Sequence, residues 1–170
     1  MIVRAAPHAI RGTLAVGERV RPCVLGRGGI VADKREGDGG TPVGRFPLRR
    51  LLYRPDRESA IATGLPILPL SEHLGWCDDP GDPVHYNRLV RLPFDSRHER
   101  MWRDDGLYDL VIELGYNDAP PVPGRGSAIF LHLARPDGRP TEGCVALARD
   151  DMLAVLVAVG SESMIDISYA

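Results

Sequence analysis

Two stretches, Tyr108-Asp109-Leu110-Val111-Ile112-Glu113-Leu114 and Ser127-Ala128-Ile129-Phe130-Leu131-His132-Leu133, decide the class of fold. Both are short, rich in β-branched and aromatic residues, and read as strands. Between them, Ala119-Pro120-Pro121-Val122-Pro123-Gly124 must be a loop, because proline lacks the N–H that a ladder or helix needs. Toward the N-terminus, Ile2–Ala5, 13–16 and 19–25 are further apolar or alternating runs, separated by Gly12, Gly17 and Gly26. The run Gly37-Asp38-Gly39-Gly40-Thr41-Pro42-Val43-Gly44 predicts a tight loop, and a strand resumes over 45–53. Residues 55–87 are irregular, which places Gly75-Trp76-Cys77-Asp78-Asp79-Pro80 and His85-Tyr86-Asn87-Arg88 on ordered surface loops. Ser96-Arg97-His98-Glu99 matches a capping box and predicts a short helix near 96–104, with Met101 and Trp102 turned inward. Near the end, 152–159 is wholly apolar and reads as a buried helix capped by Asp150 or Asp151 and stopped by Gly160, before a last strand at 164–168. The sum is a mainly β chain with one or two packed helices, in a single domain over residues 1–170.

Composition agrees with that pattern. Hydrophobic residues make up 44% of the 170 residues, enough for a core and too many for a disordered chain. The 19 glycines and 15 prolines, a fifth of the chain, favour many short elements over a helical bundle. No apolar run approaches the ~20 residues that a membrane span requires. The net charge is −2, and the basic residues are spread without a dense block, so nucleic acid is not an expected partner. Lys34 is the only lysine; every other basic residue is arginine. The N-terminus, Met1-Ile2-Val3-Arg4-Ala5-Ala6-Pro7-His8, lacks the basic-then-apolar layout of a secretory signal, so export by the usual route is not expected from it.

Of the three cysteines, Cys23, Cys77 and Cys144, none forms a CxxC pair or a zinc-like cluster with histidine. Chemistry is suggested by one pairing. His132 ends an apolar strand, and Thr141-Glu142-Gly143-Cys144-Val145-Ala146-Leu147 follows. An imidazole beside a thiol generates the thiolate that nucleophilic catalysis requires, and a glycine before the cysteine lets the backbone turn and present amides to an oxyanion. On spacing alone, a cysteine and a histidine so placed are each more often packed core residues than catalytic ones, and both readings stand. Other groupings are weaker. Gly37-Asp38-Gly39-Gly40-Thr41 lacks the context of a phosphate loop. Trp76 with Asp78 and Asp79 is either a sugar platform or a loop packed on the core. Asp78, Asp79 and Asp82 lack EF-hand spacing, and His73, His85 and His98 are scattered.

The pattern His132 … Thr141-Glu142-Gly143-Cys144 resembles the His … [Ser/Thr]-x-Gly-Cys signature of the YkuD-type (ErfK-like) L,D-transpeptidase catalytic domain. Gly37-Asp38-Gly39-Gly40-Thr41-Pro42-Val43-Gly44-Arg45-Phe46 is similar to that family's early Gly-Thr-Pro-x-Gly-x-Phe pair of strands. Gly75-Trp76-Cys77-Asp78-Asp79, Tyr86-Asn87, Tyr116-Asn117 and Gly126–His132 extend the resemblance over most of the chain. It implies a β-sandwich of mixed sheets and acyl transfer on peptidoglycan stem peptides. Cys144 would be the nucleophile and His132 the base, oriented by the carbonyl of Leu133. The amides of Glu142, Gly143 and Cys144 would form the oxyanion hole. A thioester would form with release of D-Ala and be resolved by an amine, giving a cross-link, or by water, giving carboxypeptidase activity. No cofactor or metal is implied; carbapenems are the implied inhibitors, and the periplasm or cell envelope is the implied location.

Three departures qualify the resemblance. Glu142 replaces the histidine often found before Gly-Cys, and a carboxylate there opposes thiolate formation unless it points away. Val145-Ala146-Leu147 replaces the usual polar residue after the cysteine, so a substrate carboxylate must be met elsewhere; Arg45, Arg88 and Arg149 are candidates by charge alone. The gap between His and Cys is also shorter than usual. Glu142 and the apolar run after Cys144 motivate a second function, a silent wall-binding module, and the missing secretory signal motivates a third, a cytosolic cysteine amidase acting on another peptide. Oligomeric state is not readable from the sequence.

Overall fold

The structure is a computed structural model and describes residues 1–59 and 61–170. The chain opens with an antiparallel meander, β1 (Ile2–Ala5), β2 (Arg11–Val16) and β3 (Arg19–Val24), in which Val3 faces Leu14. A small parallel ribbon follows, β4 (Ile30–Val31) with β5 (Thr41–Pro42), and then the long strand β6 (Gly44–Tyr53) with its parallel neighbour β7 (Ile67–Pro69). β8 (Leu74–Cys77), β9 (Arg88–Arg91) and β10 (His98–Arg100) form a separate antiparallel sheet in the order β10-β8-β9. The remainder is β11 (Leu110–Leu114), β12 (Phe130–Leu133), β13 (Val145–Leu147), α1 (Arg149–Ala158) and β14 (Met164–Tyr169).

The large sheet runs β11-β12-β13-β3-β2-β1-β14-β6, and β6 pairs again with β11. Its length permits this: Gly44 to Pro47 pair with β14, and Leu48 to Tyr53 with β11. A mixed sheet that closes on itself therefore stands where a sandwich was expected, and closure leaves those strands few free edges.

β11 and β12 are buried throughout, which explains their near-continuous apolar sequence. Leu110, Ile112, Leu114, Leu131 and Leu133 join the main core, with Met152, Val155 and Leu156 of α1. The alternate side chains, Val111 and Phe130, point to a second cluster with Leu52, Trp76, Met101, Tyr108 and Cys144. The sheet β8-β9-β10 contributes Trp76 to that cluster, with the Trp76 ring edge-on to Phe130 at 5.0 Å.

Three local expectations are corrected. Residues 98–100 are strand, not helix: His98 pairs with Cys77 and Glu99 with Trp76, and the Ser96 hydroxyl donates to Asp82 at 2.9 Å instead of capping. Cross-strand pairing outweighs the local capping signal, while Met101 is buried as expected. Gly75-Trp76-Cys77 lies in β8, with Trp76 and Cys77 buried, not on a surface loop. The helix begins at Arg149 behind Ala148, which has no side chain to cap it. Asp150 and Asp151 lie in its first turn, where a carboxylate complements the exposed amides, and Asp151 also meets Arg21 at 3.2 Å. Only one side of α1 is buried, and Val157 is 70% exposed. Gly160 forms a bridge with Gly64 beyond an extended Val159. No helix among the described residues is long and apolar enough to cross a membrane.

Candidate active site

β12 and β13 run parallel, with Leu131 beside Val145 and His132 beside Ala146, and this register sets Cys144, just before β13, level with Phe130 at the start of β12. His132 shares the Phe130 face of β12, and Cys144 immediately precedes β13 in the second cluster. Both line one cavity of about 500 Å³, together with Glu99, Tyr108, Ala128 and Thr141. Both are buried, at 6% and 7% exposure.

The Cys144 sulfur donates to Ala128 O at 3.2 Å and accepts from Phe130 N at 3.3 Å. Ala128 takes φ +52°, unusual for a residue with a Cβ, and its amide donates to Asn87 Oδ1 at 3.0 Å. Asn87 is buried, also accepts from Trp76 Nε1 and donates to Tyr116 O and Asn117 O, so the residue whose carbonyl faces the thiol is held through its amide from the turn before β9. Gly143 takes φ +134°, and a Cβ there would lie 2.8 Å from Gly40 O; glycine is required by backbone shape and by space. Thr141 Oγ1 braces the same turn, donating to Cys144 O at 2.6 Å and accepting from Gly143 N at 3.2 Å. The Gly143 amide thus has an internal acceptor, unlike the free oxyanion donor expected of it.

His132 Nδ1 lies 2.8 Å from Leu133 O. A carbonyl only accepts, so Nδ1 carries the proton and Nε2 is the basic nitrogen. Burial lowers the imidazole to about 4, against the opposing pull of that carbonyl. Burial raises the thiol to about 12. Glu99 adds to this, while Phe130 N–H and Lys34 act the other way. The resting pair is neutral thiol and neutral imidazole, and no hydrogen bond joins them among the described residues.

Glu142 turns away from the sulfur, with its carboxylate on Arg27 Nε at 2.8 Å and its side chain 78% exposed. The carboxylate that opposes the thiolate is Glu99, which accepts from Tyr108 Oη at 2.8 Å and meets Arg103 at 3.4 Å. Tyr108 in turn lies edge-on to His132 at 5.4 Å.

The arginine candidates for a substrate carboxylate are displaced. Arg149 is spent on Glu58 at 2.5 and 2.7 Å, Arg45 pairs into β14, and none of Arg45, Arg88 and Arg149 lines the cavity. Arg97, Arg103, Arg135 and Arg139 line it instead. Arg97 is paired with Asp78, Arg103 with Asp105 and Arg139 with Asp137, whereas Arg135 makes no ion pair among the described residues. Arg97 and Arg103 come from segments distant in sequence, whereas Arg135 and Arg139 share the loop that joins His132 to Cys144. Trp76 is a core residue, not an open platform, and Asp78, Asp79 and Asp82 are occupied by Arg97, Gly81 N and His85. Among the described residues, no group of three or more His, Cys, Asp or Glu is arranged to hold a metal ion.

The family model of the YkuD L,D-transpeptidase catalytic domain matches residues 11–167. Comparison with curated proteins gives no match. Among solved structures, the chain is similar to L,D-transpeptidase 1 of Mycobacterium tuberculosis, at 14% identity and a TM-score of 0.42 over 99% of this chain. It spans 61% of the length of that protein's chain.

Proposed function

The chain belongs to the L,D-transpeptidase catalytic domain family, and from that premise we propose that it is a cysteine acyltransferase acting on peptidoglycan stem peptides at the cell envelope. The observation that carries the reading is that Cys144 and His132 share one cavity, with His132 fixed through Nδ1 to Leu133 O and left basic at Nε2.

With the thiol near 12 and the imidazole near 4, a free ion pair is not the resting state, so deprotonation accompanies attack. His132 Nε2 takes the thiol proton as the sulfur bonds to the carbonyl carbon before the terminal D-Ala. The amides of Glu142 and Cys144 are the donors for the oxyanion. Collapse breaks the C–N bond, His132 returns the proton to the departing amine, and D-Ala leaves a thioester on Cys144. An amine of a neighbouring stem, or water, then attacks that carbonyl with His132 again as base, and the thiol is regenerated. Arg135, unpaired at the mouth, is the residue placed to meet the substrate's terminal carboxylate.

The test is release of D-Ala from a disaccharide-tetrapeptide by the purified chain. Wild type should release it and Cys144→Ala should not; equal release by both would refute the assignment. A second reading, a module that binds wall peptides without chemistry, is favoured by one observation: the thiol proton is already committed to Ala128 O. Muropeptide binding with a thiol that never reacts would select it.

A further inference from the structure

Lys34 is the one lysine of the chain and is buried, its side chain 4% exposed. Its Nζ donates to Arg35 O at 2.7 Å and to Asp38 Oδ1 at 2.5 Å. Asp38 in turn accepts from Gly40 N and Arg35 N, each at 2.7 Å. The pair therefore fixes the shape of residues 34–40 from within, in a space that suits a compact ammonium better than a planar guanidinium.

That loop bears directly on the nucleophile. A Cβ on Gly143 would lie 2.8 Å from Gly40 O and 3.6 Å from Lys34 Cε, and one on Gly126 would lie 3.0 Å from Lys34 Cγ. A Cβ on Gly26 would lie 2.1 Å from Gly39 O and 2.9 Å from Gly143 Cα. Backbone thus rests on backbone beneath the Gly143–Cys144 turn, with the Lys34 stem packed alongside. Glu99 from β10, Arg103 and Tyr108 from the segment before β11, and His132 from β12 line the cavity with the sulfur, while Lys34 lies behind the turn, its Cε 3.6 Å from where a Gly143 Cβ would stand. Glu99 acts against the thiolate and Lys34 for it.

We propose that Lys34 is a positioning residue for the nucleophile: its stem packs against the Gly143–Cys144 turn, and its ammonium, held and partly neutralised by Asp38, supplies positive charge behind that turn. The inference rests on Cys144 as the reactive thiol, but its test needs no peptidoglycan substrate. The rate of Cys144 alkylation by iodoacetamide is measured from pH 7 to 10 by intact mass and peptide mapping. The proteins compared are the full chain, Lys34→Met/Asp38→Asn and Asp38→Asn. The double variant removes both charges of the pair together, which avoids leaving a buried ion unpartnered. Its rate should fall about threefold or more at each pH, half a unit or more of thiol acidity. Asp38→Asn leaves the ammonium uncompensated, and its rate should rise by about threefold. A merely structural role would not move the two variants in opposite directions. Superimposed profiles, or a slower Asp38→Asn, would overturn the proposal. Should the double variant fail to fold by circular dichroism, a rate for Asp38→Asn that does not rise is sufficient to overturn it. Opposite shifts without D-Ala release by wild type would leave Lys34's role standing and remove only the acyltransferase reading.

Discussion

Protonating the medium around His132 should cost this protein stability in a defined window. The imidazole is buried and lowered to about 4, whereas in the unfolded chain it titrates near 6.5. Between those values the unfolded state binds a proton that the folded state does not, so stability is complete above about pH 6.5 and is lost as pH falls toward 4. A difference of two and a half units corresponds to about 3 kcal/mol, a large part of a typical folding free energy. The control is His132→Asn, whose amide can still donate to Leu133 O but cannot take up a proton. Urea unfolding of both proteins at pH 7 and pH 4.5 isolates the residue, because Asp38, Asp105 and Glu113, whose own titrations are shifted, are common to both. The stability gap between wild type and variant should narrow by about 2 kcal/mol or more on going to pH 4.5. An unchanged gap would show that His132 is solvated or already paired, and would refute the neutral resting state on which the mechanism depends.

Glu99→Gln removes the carboxylate that opposes the thiolate, and iodoacetamide should modify Cys144 about threefold to tenfold faster at pH 8. Gly143→Ala places a Cβ 2.8 Å from Gly40 O at φ +134°, and should destabilise the fold by about 2 kcal/mol or more in chemical denaturation, with loss of turnover. Arg135→Ala should leave the melting temperature unchanged, because the side chain is exposed and unpaired, while raising KM about tenfold for substrates that end in a carboxylate.

The strand framework was legible because alternation and glycine spacing act locally: Ile2–Ala5, 45–53 and 108–114 fall within or over the observed strands. The errors arose where a local signal met a distant partner. Ser96 and Glu99 have capping-box spacing, but β8 offers paired amides and carbonyls and draws His98 to Arg100 into a strand. Trp76 sits among glycines, prolines and aspartates that suggest a loop, and only packing on Phe130 and the bond to Asn87 reveal it as core. At the site, Cys144, His132 and Leu133 were singled out through the family resemblance, not through spacing, and the structure places Cys144 and His132 on one cavity with His132 bonded to Leu133 O. Asn87, Glu99 and Tyr108 were not assigned there, since segments distant in sequence bring them in, and Arg135, on the loop between His132 and Cys144, carries no spacing signal of its own. The orientation of Glu142 depends on Arg27, far away in sequence, and spacing carries no trace of it.

The central claim is that the Cys144 sulfur attacks an acyl carbon. Incubation of the full chain with a carbapenem, followed by intact mass and peptide mapping, tests it most directly. The expected result is a single covalent adduct on the Cys144 peptide, absent from Cys144→Ala and strongly slowed in His132→Asn. An unmodified wild-type mass, or an adduct on Cys23 or Cys77 that persists in Cys144→Ala, would contradict it.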